Sequence, residues 1–458
     1  MFIGNENIYS ERLVGHIWYK SDQFNRNLYK GDSFYELMKP EYLLNWNPWW
    51  TTKEVPSALK GIFRSVNPLI FKALPEREIM ALTGIRRSGK TTLMYQLVES
   101  LLTRYQPAQI LYLNLDDELL KRESLESIYS FYREHKNPED YAFIFLDEIQ
   151  NAVGWEKFLK KYYDLREKVK FIISGSSANL LKGEYSTLLT GRNLTFEIYP
   201  LSFSEFLKFG HIDFNEPASA LKAKILFQLD QYFEFGGFPE IYFKPEELKK
   251  LVLKQYFDDI IYKDLVKRYN INAQKITDLA VYLFTNIGNS FSIRNLRNCT
   301  GLSTDSIKDY LSDLEEAYML LVLDYFSYSL KEQSQFPKKA YCLDCGLRNS
   351  VGFRFSSDSG WLAENCVVAE LRRTGQQAYY WKNKGEVDFI LKEKNQDLTA
   401  INVSYTDEIP EREIKALLEF KKEFKNTTKL ILITKEIEKT EQGITLIPLW
   451  KWLLTEKH

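Results

Sequence analysis

The sequence predicts an α/β chain, with a mostly parallel sheet first, helix-rich sequence in the middle and a second, smaller α/β region at the end. Three observations predict it. The buried-strand pattern "EIMALTG" runs directly into "IRRSGKTTLMYQL", where Gly84 and Gly89-Lys90-Thr91 bracket a loop that opens a helix. Short apolar runs then alternate with helical segments, as parallel strands covered on both faces require. Beyond about residue 340 the alternation of short strands returns.

The bulk numbers narrow the class. At 458 residues the chain exceeds what one core holds, and two or more domains are expected. The 45% hydrophobic and 15% aromatic content supplies the mass for those cores. A net charge of −1, from 61 basic and 62 acidic residues, excludes a dedicated nucleic-acid coat protein and leaves room only for a local basic face. Four cysteines make no disulfide framework and fit a reducing compartment. Cys342 and Cys345 form one CxxC without a second pair or a histidine cluster, so both are read as structural. There is no apolar run of about 18 residues, and the opening "MFIGNENIYSERLVGHIWYK" lacks the pattern of a signal peptide. The expectation is a cytoplasmic protein with no membrane partner.

Taken in order, residues 1–75 form an aromatic-rich segment, with "LNWNPWW" at 44–50, expected to pack on the first sheet region. Residues 76–205 carry the strand "EIMALTG", the helix "KTTLMYQLVESLLTRY" and the strands "QILYLNLDD", "YAFIFLDEI" and "VKFIISGSS". Residues 206–275 are helix-rich. Residues 276–330 read as helix, turn at Gly301, helix, and then the strand-like "LVLDYF". The hydrophilic "SLKEQSQFPKKA" marks a junction to residues 331–458, where "QAYYWKN", "EVDFILKE", "LTAINVSY" and "KLILITK" are strands.

The loop after the first strand suits phosphate. Backbone N–H groups of Gly84, Ile85, Arg86, Arg87, Ser88 and Gly89, with the start of the helix at Lys90, Thr91 and Thr92, favour an anion. Lys90 is expected to reach the terminal phosphates of a nucleotide and the Thr91 hydroxyl to ligate Mg²⁺. "AFIFLDEIQ" supplies the other half: Asp147 at a strand end to hold Mg²⁺ through water, and Glu148 to orient and deprotonate the attacking water. "FIISGSSANLL" offers Ser174, Ser176 and Ser177, either as sensors of the γ-phosphate or as a simple turn. Arg192 in "LLTGRN" is either an arginine finger or a solvated turn residue; acting in trans, it requires a homo-oligomer.

"GIRRSGKTTLM", "LDEIQNAVGW", "ISGSSANLL", "LTGRN", "YPLSFSEFL" and "FGGFPE" together resemble a group of prokaryotic AAA+-like ATPases, related to the archaeal ATPases and the STAND switches. The resemblance covers nearly the whole chain, "NPWW" included. It implies a P-loop NTPase core of the AAA+ type at 76–205, a helical lid at 206–275, a winged-helix segment at 276–330 and a restriction-endonuclease-like domain at 331–458. It also implies ATP as the nucleotide and places Pro239 of "GGFPE" near it, where many AAA+ proteins carry an arginine sensor. That departure favours a switch over a motor.

Two questions arise for the C-terminal half. The second helix of the helix–turn–helix bears Lys308 but also Asp305, Asp309, Asp313, Glu315 and Glu316. Carboxylates facing phosphates repel, so a structural or protein-contacting role is favoured over groove reading, with Arg294, Arg297 and Lys308 as a small basic edge. Nucleases of the PD-(D/E)XK type need a helix-borne Glu, a strand Asp and then Glu-x-Lys. Glu364 and Asp388 supply the first two as a candidate metal pair, with Glu386 beside them. The next strand reads Ile401-Asn402-Val403-Ser404, lacking both the metal ligand and the lysine, unless Lys382 or Lys392 substitutes. The expectation is therefore an ATP-binding and ATP-hydrolysing switch acting on DNA or a protein client. An ATP-gated nuclease and a nucleotide-stabilised scaffold are the alternatives.

Overall fold

Five apolar runs form the first sheet: β1 (Ile79–Thr83), β2 (Ile110–Asn114), β3 (Ala142–Asp147), β4 (Val169–Gly175) and β5 (Asn193–Glu197). All pairings are parallel, in the order β2-β3-β4-β1-β5. β1 and β3 are buried along their whole length, which is why they read as continuous hydrophobic runs rather than as alternating ones. The chain is seen in a computed structural model that describes residues 40–455 except 179, 181–185, 215–218 and 354–358. The first 39 residues of the expected packing segment therefore lie outside the described residues.

The rest of that segment covers an edge. Asn47 mimics a strand partner for β2: its Nδ2 donates to the Tyr112 carbonyl at 2.9 Å and its Oδ1 accepts from the Tyr112 N–H at 2.7 Å. Trp49 and Trp50 both donate Nε1 to the Ile110 carbonyl, at 3.2 and 2.8 Å. An exposed edge strand invites pairing with another chain, and these side chains satisfy it instead.

The middle region stacks the helices Ser219–Phe235, Glu246–Asp259 and Ala273–Thr285. Beside them β6 (Ser290–Phe291), β7 (Leu320–Leu323) and β8 (Lys338–Cys342) form an antiparallel sheet in the order β6-β8-β7. Helices Ile293–Thr300 and Thr304–Glu316 fall between β6 and β7. The junction expected at 331 runs through this unit. "SLKEQSQF" is only the exposed connection from β7 to β8, with a short helix Leu330–Gln335, and its hydrophilicity reflects solvent rather than a domain boundary. Helix Cys345–Val351 still packs on the middle helices, so the last region begins at helix Ser359–Arg373.

That region carries β9 (Ala378–Lys382), β10 (Glu386–Lys392), β11 (Leu398–Ser404), β12 (Thr427–Thr434), β13 (Lys439–Glu441) and β14 (Ile444–Pro448). They make one mixed sheet in the order β13-β14-β12-β11-β10-β9. Its core is continuous with the middle helices, since Phe203, Leu229 and Phe233 share one apolar cluster with Val367, Leu371 and Trp452. Cys342, Cys345 and Cys366 are buried free thiols within this packing. Among the described residues no helix is long and apolar enough to cross a membrane.

Candidate functional site

The loop between β1 and helix Lys90–Leu102 needs its glycines. A Cβ on Gly84 would collide with the Ile198 carbonyl oxygen, which crosses directly over it. Gly89 has φ +100°, a left-handed conformation that side chains resist. Helix Lys90–Leu102 has no side-chain cap, so its first N–H groups belong to the loop.

Lys90 is buried, and its ammonium donates to the carbonyls of Gly84 (2.8 Å) and Ile85 (3.0 Å). Burial lowers its pKa, with Glu148 and Asp147 pulling the other way. Ser88 Oγ, also in the loop, is buried without a hydrogen-bond partner. Thr91 Oγ1 donates to Asp147 at 2.6 Å, and Asp147 accepts further bonds from Tyr112 OH (2.7 Å) and from Ser174 Oγ. Beside Asp147, burial and that carboxylate push the Tyr112 hydroxyl well above its ordinary pKa. Glu148 holds φ 55°, ψ 50°, a left-handed residue at a strand end. Its N–H donates to Ser174 Oγ at 3.0 Å and its carboxylate accepts from Gln150 Nε2 at 2.5 Å. Backbone strain of this kind persists where the surroundings over-determine it, often at functional sites.

Four of these residues face a cavity of about 600 Å³. Lys90, Thr91, Asp147 and Glu148 line it, together with the apolar Ile62, Ile198, Phe209 and Phe243 and with Gly61. Arg87, Thr92 and Pro239 also line it, and Pro239 Cγ lies 3.9 Å from the Cβ position of Gly89. Arg64 ties the loop to its surroundings. It donates to the Ser88 carbonyl (2.9 Å) and the Tyr199 carbonyl (2.8 Å) and grips Glu205 through Nε and Nη2 (3.2 and 2.7 Å). Burial alone would raise Glu205, but Arg64 overrides it and holds the carboxyl down at about 2.

Two expected site residues are placed otherwise. Ser176 points to the middle region, donating to Asp264 at 2.9 Å, and Arg86 donates to the same carboxylate through Nε and Nη2, both at 3.0 Å. Arg192 stands at the far, amino end of the sheet. Its carbonyl accepts from the N–H of Ile79, the first residue of β1, and its guanidinium pairs with Asp164 at 2.9 Å. The structure does not bring it to the loop of its own chain.

The candidate metal pair in the last region shares one buried cluster, but a cation already sits in it. Lys339 Nζ, from β8, lies 2.6 Å from Glu386 and 3.4 Å from Asp388. The other Asp388 oxygen accepts the Val403 N–H (2.9 Å), and Glu364 accepts from Tyr341 OH (3.1 Å). Asn402, standing where the resemblance requires a metal-ligating Glu, uses its amide on the Asp388 N–H and on Glu413. Among the described residues no group of three or more acidic, His or Cys side chains is placed to hold a metal ion. Glu364 and Asp388 therefore do not fit a divalent cation, because Lys339 supplies the charge that a metal would bring. Neither Lys382, which pairs with Glu386 from outside at 2.8 Å, nor the exposed Lys392 takes that place.

Sequence reading missed Tyr112, Arg64, Asp264 and Lys339, none of which belongs to a local motif. The only signal for any of them was indirect: Ser202-Phe203-Ser204-Glu205 is a capping box, and it is Glu205 that Arg64 grips.

Residues 76–207 match the family model described as an AAA domain. Residues 226–358 and 359–452 match two domains of unknown function, DUF8612 and DUF4143, and the break between them falls where helix Ser359–Arg373 begins. The uncharacterized protein MJ1544 of Methanocaldococcus jannaschii is 34% identical over 424 residues, 88% of this chain and 93% of that one. An uncharacterized protein of Haemophilus influenzae is 31% identical over 392 residues, covering 82% and 94% of the two chains. Among solved structures, the Walker-type ATPase PABY2304 of Pyrococcus abyssi aligns with 62% of this chain and 94% of its own at 14% identity and a TM-score of 0.41.

Proposed function

The chain, in which an AAA domain is followed by two domains of unknown function, belongs to the family that includes MJ1544, and we propose that it is a Mg²⁺-dependent ATPase that works as a switch. The observation that carries this reading is the convergence on one cavity of a buried lysine held by main-chain carbonyls and the Thr91–Asp147 pair, with an unpartnered hydroxyl, that of Ser88, in the same loop. A buried polar group without a partner costs roughly 1–3 kcal/mol, and a phosphate oxygen held by this loop is the acceptor that Ser88 lacks. The bound magnesium nucleotide supplies the phosphoryl group and the cation that Thr91 and Asp147 would hold.

The chain's own residues do the rest. Lys90 exchanges carbonyls for phosphate oxygens, whose negative charge opposes the lowering of its pKa by burial. Glu148, fixed at the strand end through Ser174 and Gln150, takes a proton from water in the cavity. Arg192 serves this chemistry only from a second copy of the chain.

The switch reading rests on how the middle domain, 226–358, meets the nucleotide end of the sheet. The Ala178 N–H donates to the Glu316 carbonyl at 2.8 Å, and Tyr318 OH donates to Thr83, the last residue of β1, at 3.0 Å. Helix Thr304–Glu316 and the sheet β6-β8-β7 have the element order of a winged helix. With Asp305, Asp309 and Glu315 exposed against Lys308, that helix suits a protein client better than a DNA groove.

Replacing Glu148 by Gln tests the core of the reading. Binding of ATP stays within about threefold of the parent, while turnover falls by about 100-fold or more, the usual contribution of a general base. Parent-rate turnover in Glu148→Gln removes the base assignment, and a parent that binds no nucleotide removes the whole reading.

A further inference from the structure

Asp264 lies outside the AAA domain, yet it holds two of that domain's nucleotide-end elements. It sits on a π-helical segment, Ile260–Val266, continuous with helix Glu246–Asp259 before it and Lys267–Tyr269 after it. The wider turn lets Ile260, Ile261 and Leu265 stay in the apolar core while Asp264 faces the sheet. π-Turns inside helices are rare and concentrate at functional positions.

The carboxylate is 2% exposed, so its charge needs full compensation. It receives a fork of two bonds from Arg86, both 3.0 Å, and one from Ser176 Oγ at 2.9 Å. Arg268 adds a second cation, with Nη2 4.0 Å from Asp264 and 3.4 Å from Ser176 Oγ. Arg86 belongs to the phosphate-type loop and lines the cavity. Ser176 comes two residues after the Ser174 that supports both Asp147 and the Glu148 N–H. The second loop arginine, Arg87, also pairs outward, with Glu240 of the middle domain at 3.7 Å. One carboxylate thus anchors both edges of the site: the loop that would cradle phosphates and the end of β4, whose Ser174 supports Asp147 and Glu148 at the end of β3.

We propose that Asp264 is a positioning residue for ATP hydrolysis, acting through Arg86 and Ser176, so that the site is correctly shaped only while the middle domain is docked. The proposal rests on the ATPase reading above. It gives the switch its contact: whatever moves the π-helical segment moves the loop and Ser176 together, and hydrolysis becomes conditional on the client-facing domain.

The test uses the full chain with Asp264→Ala, Asp264→Glu, Arg86→Ala and the Arg86→Ala/Asp264→Ala double variant. Steady-state kinetics on folded protein give a kcat reduced by about 10- to 100-fold in each Ala variant, with KM for ATP within about threefold, the pattern of a misplaced group. The double variant is no slower than the slower single, because both remove one contact. Asp264→Glu recovers part of kcat. Without nucleotide, hydrogen exchange of residues 84–90 and 174–177 quickens in Asp264→Ala. Unchanged kcat, additive losses or unchanged exchange at both segments overturns the proposal. Should the parent show no turnover, the ATPase reading falls and the exchange measurement alone decides whether Asp264 orders the loop. Arg86→Ala, which truncates a partly exposed side chain, carries the kinetic test if Asp264→Ala does not fold.

Discussion

Lys90 and Lys339 are both buried lysines beside carboxylates, one in the AAA domain and one between the middle and C-terminal domains. Their partners differ. Lys90 bonds to two main-chain carbonyls rather than to a carboxylate, and burial lowers its pKa against the pull of Glu148 and Asp147. Around Lys339 burial works in the same sense, but Tyr341, Asp388, Glu364 and Glu386 prevail and hold it well above the ordinary lysine value. An anion arriving at Lys90 gains a charge-assisted bond and displaces only carbonyls; at Lys339 it would have to displace carboxylates. The same residue type therefore marks a ligand-ready site in one domain and a closed lock in the other.

The largest effect expected from this contrast is at the lock. Lys339→Met leaves Glu386 and Asp388 without their buried partner and lowers stability by about 3–5 kcal/mol in denaturant titration. Adding Asp388→Asn recovers at least about 1 kcal/mol of that loss, since one unpaired charge is then gone. A Lys339→Met protein within about 1 kcal/mol of the parent breaks the comparison. So does a parent whose melting midpoint rises with Mn²⁺ in a way that Asp388→Ala abolishes, because the cluster would then be a metal site after all.

At the ligand-ready site the measurable quantity is affinity. Lys90→Ala weakens binding of a fluorescent ATP analogue by about 100-fold, the equivalent of about 2.7 kcal/mol, within the range for loss of hydrogen bonds to a charged group. Lys90→Arg does not restore binding, since a planar fork cannot replace a compact ammonium between two carbonyls. Affinity within about threefold of the parent in Lys90→Ala would place the nucleotide elsewhere.

The contrast also separates what is legible in a sequence from what is not. Gly84 to Thr91, and Asp147 with Glu148, lie in two short contiguous stretches where the chemistry demands particular residue types at fixed spacing, and Arg86, Arg87, Gly89, Lys90 and Thr91 of the first share one cavity with both acids of the second. The strand-then-helix pattern of the first sheet was readable for a related reason, since buried parallel strands leave unbroken apolar runs. Lys339 was not readable. It lies 49 residues before Asp388 and sits in a stretch whose hydrophilicity suggested a linker. Asp264 is 178 residues from the arginine it holds, in a helix whose outward pattern shows nothing unusual. Such contacts are set by how domains dock, and no local periodicity carries them. Arg192 shows the converse: a motif-like position whose strand register puts it at the wrong end of the sheet for its own loop.

A third buried lysine tests whether a depressed pKa alone is the mark of a site. Lys170, on β4 at the amino end of the sheet and away from the cavity, donates to the carbonyls of Ala73 (3.4 Å), Glu76 (2.5 Å) and Glu78 (2.5 Å). Burial lowers its pKa to about 8 against the ordinary 10.5, in spite of Glu78 and Glu76. Between those values the unfolded chain binds more protons than the folded one, so stability due to Lys170 rises with pH across the window and is lost as pH falls through about 8. Measured as the parent-minus-variant difference between pH 7.5 and 10, this rise is present in the parent and absent in Lys170→Met, while ATP affinity stays within about twofold. If Lys170→Met weakens ATP binding as Lys90→Ala does, carbonyl ligation and a lowered pKa no longer distinguish the site. If it does not, what sets Lys90 apart is its cavity and the unpartnered Ser88 beside it, and the lowered pKa is a consequence of burial shared by both lysines.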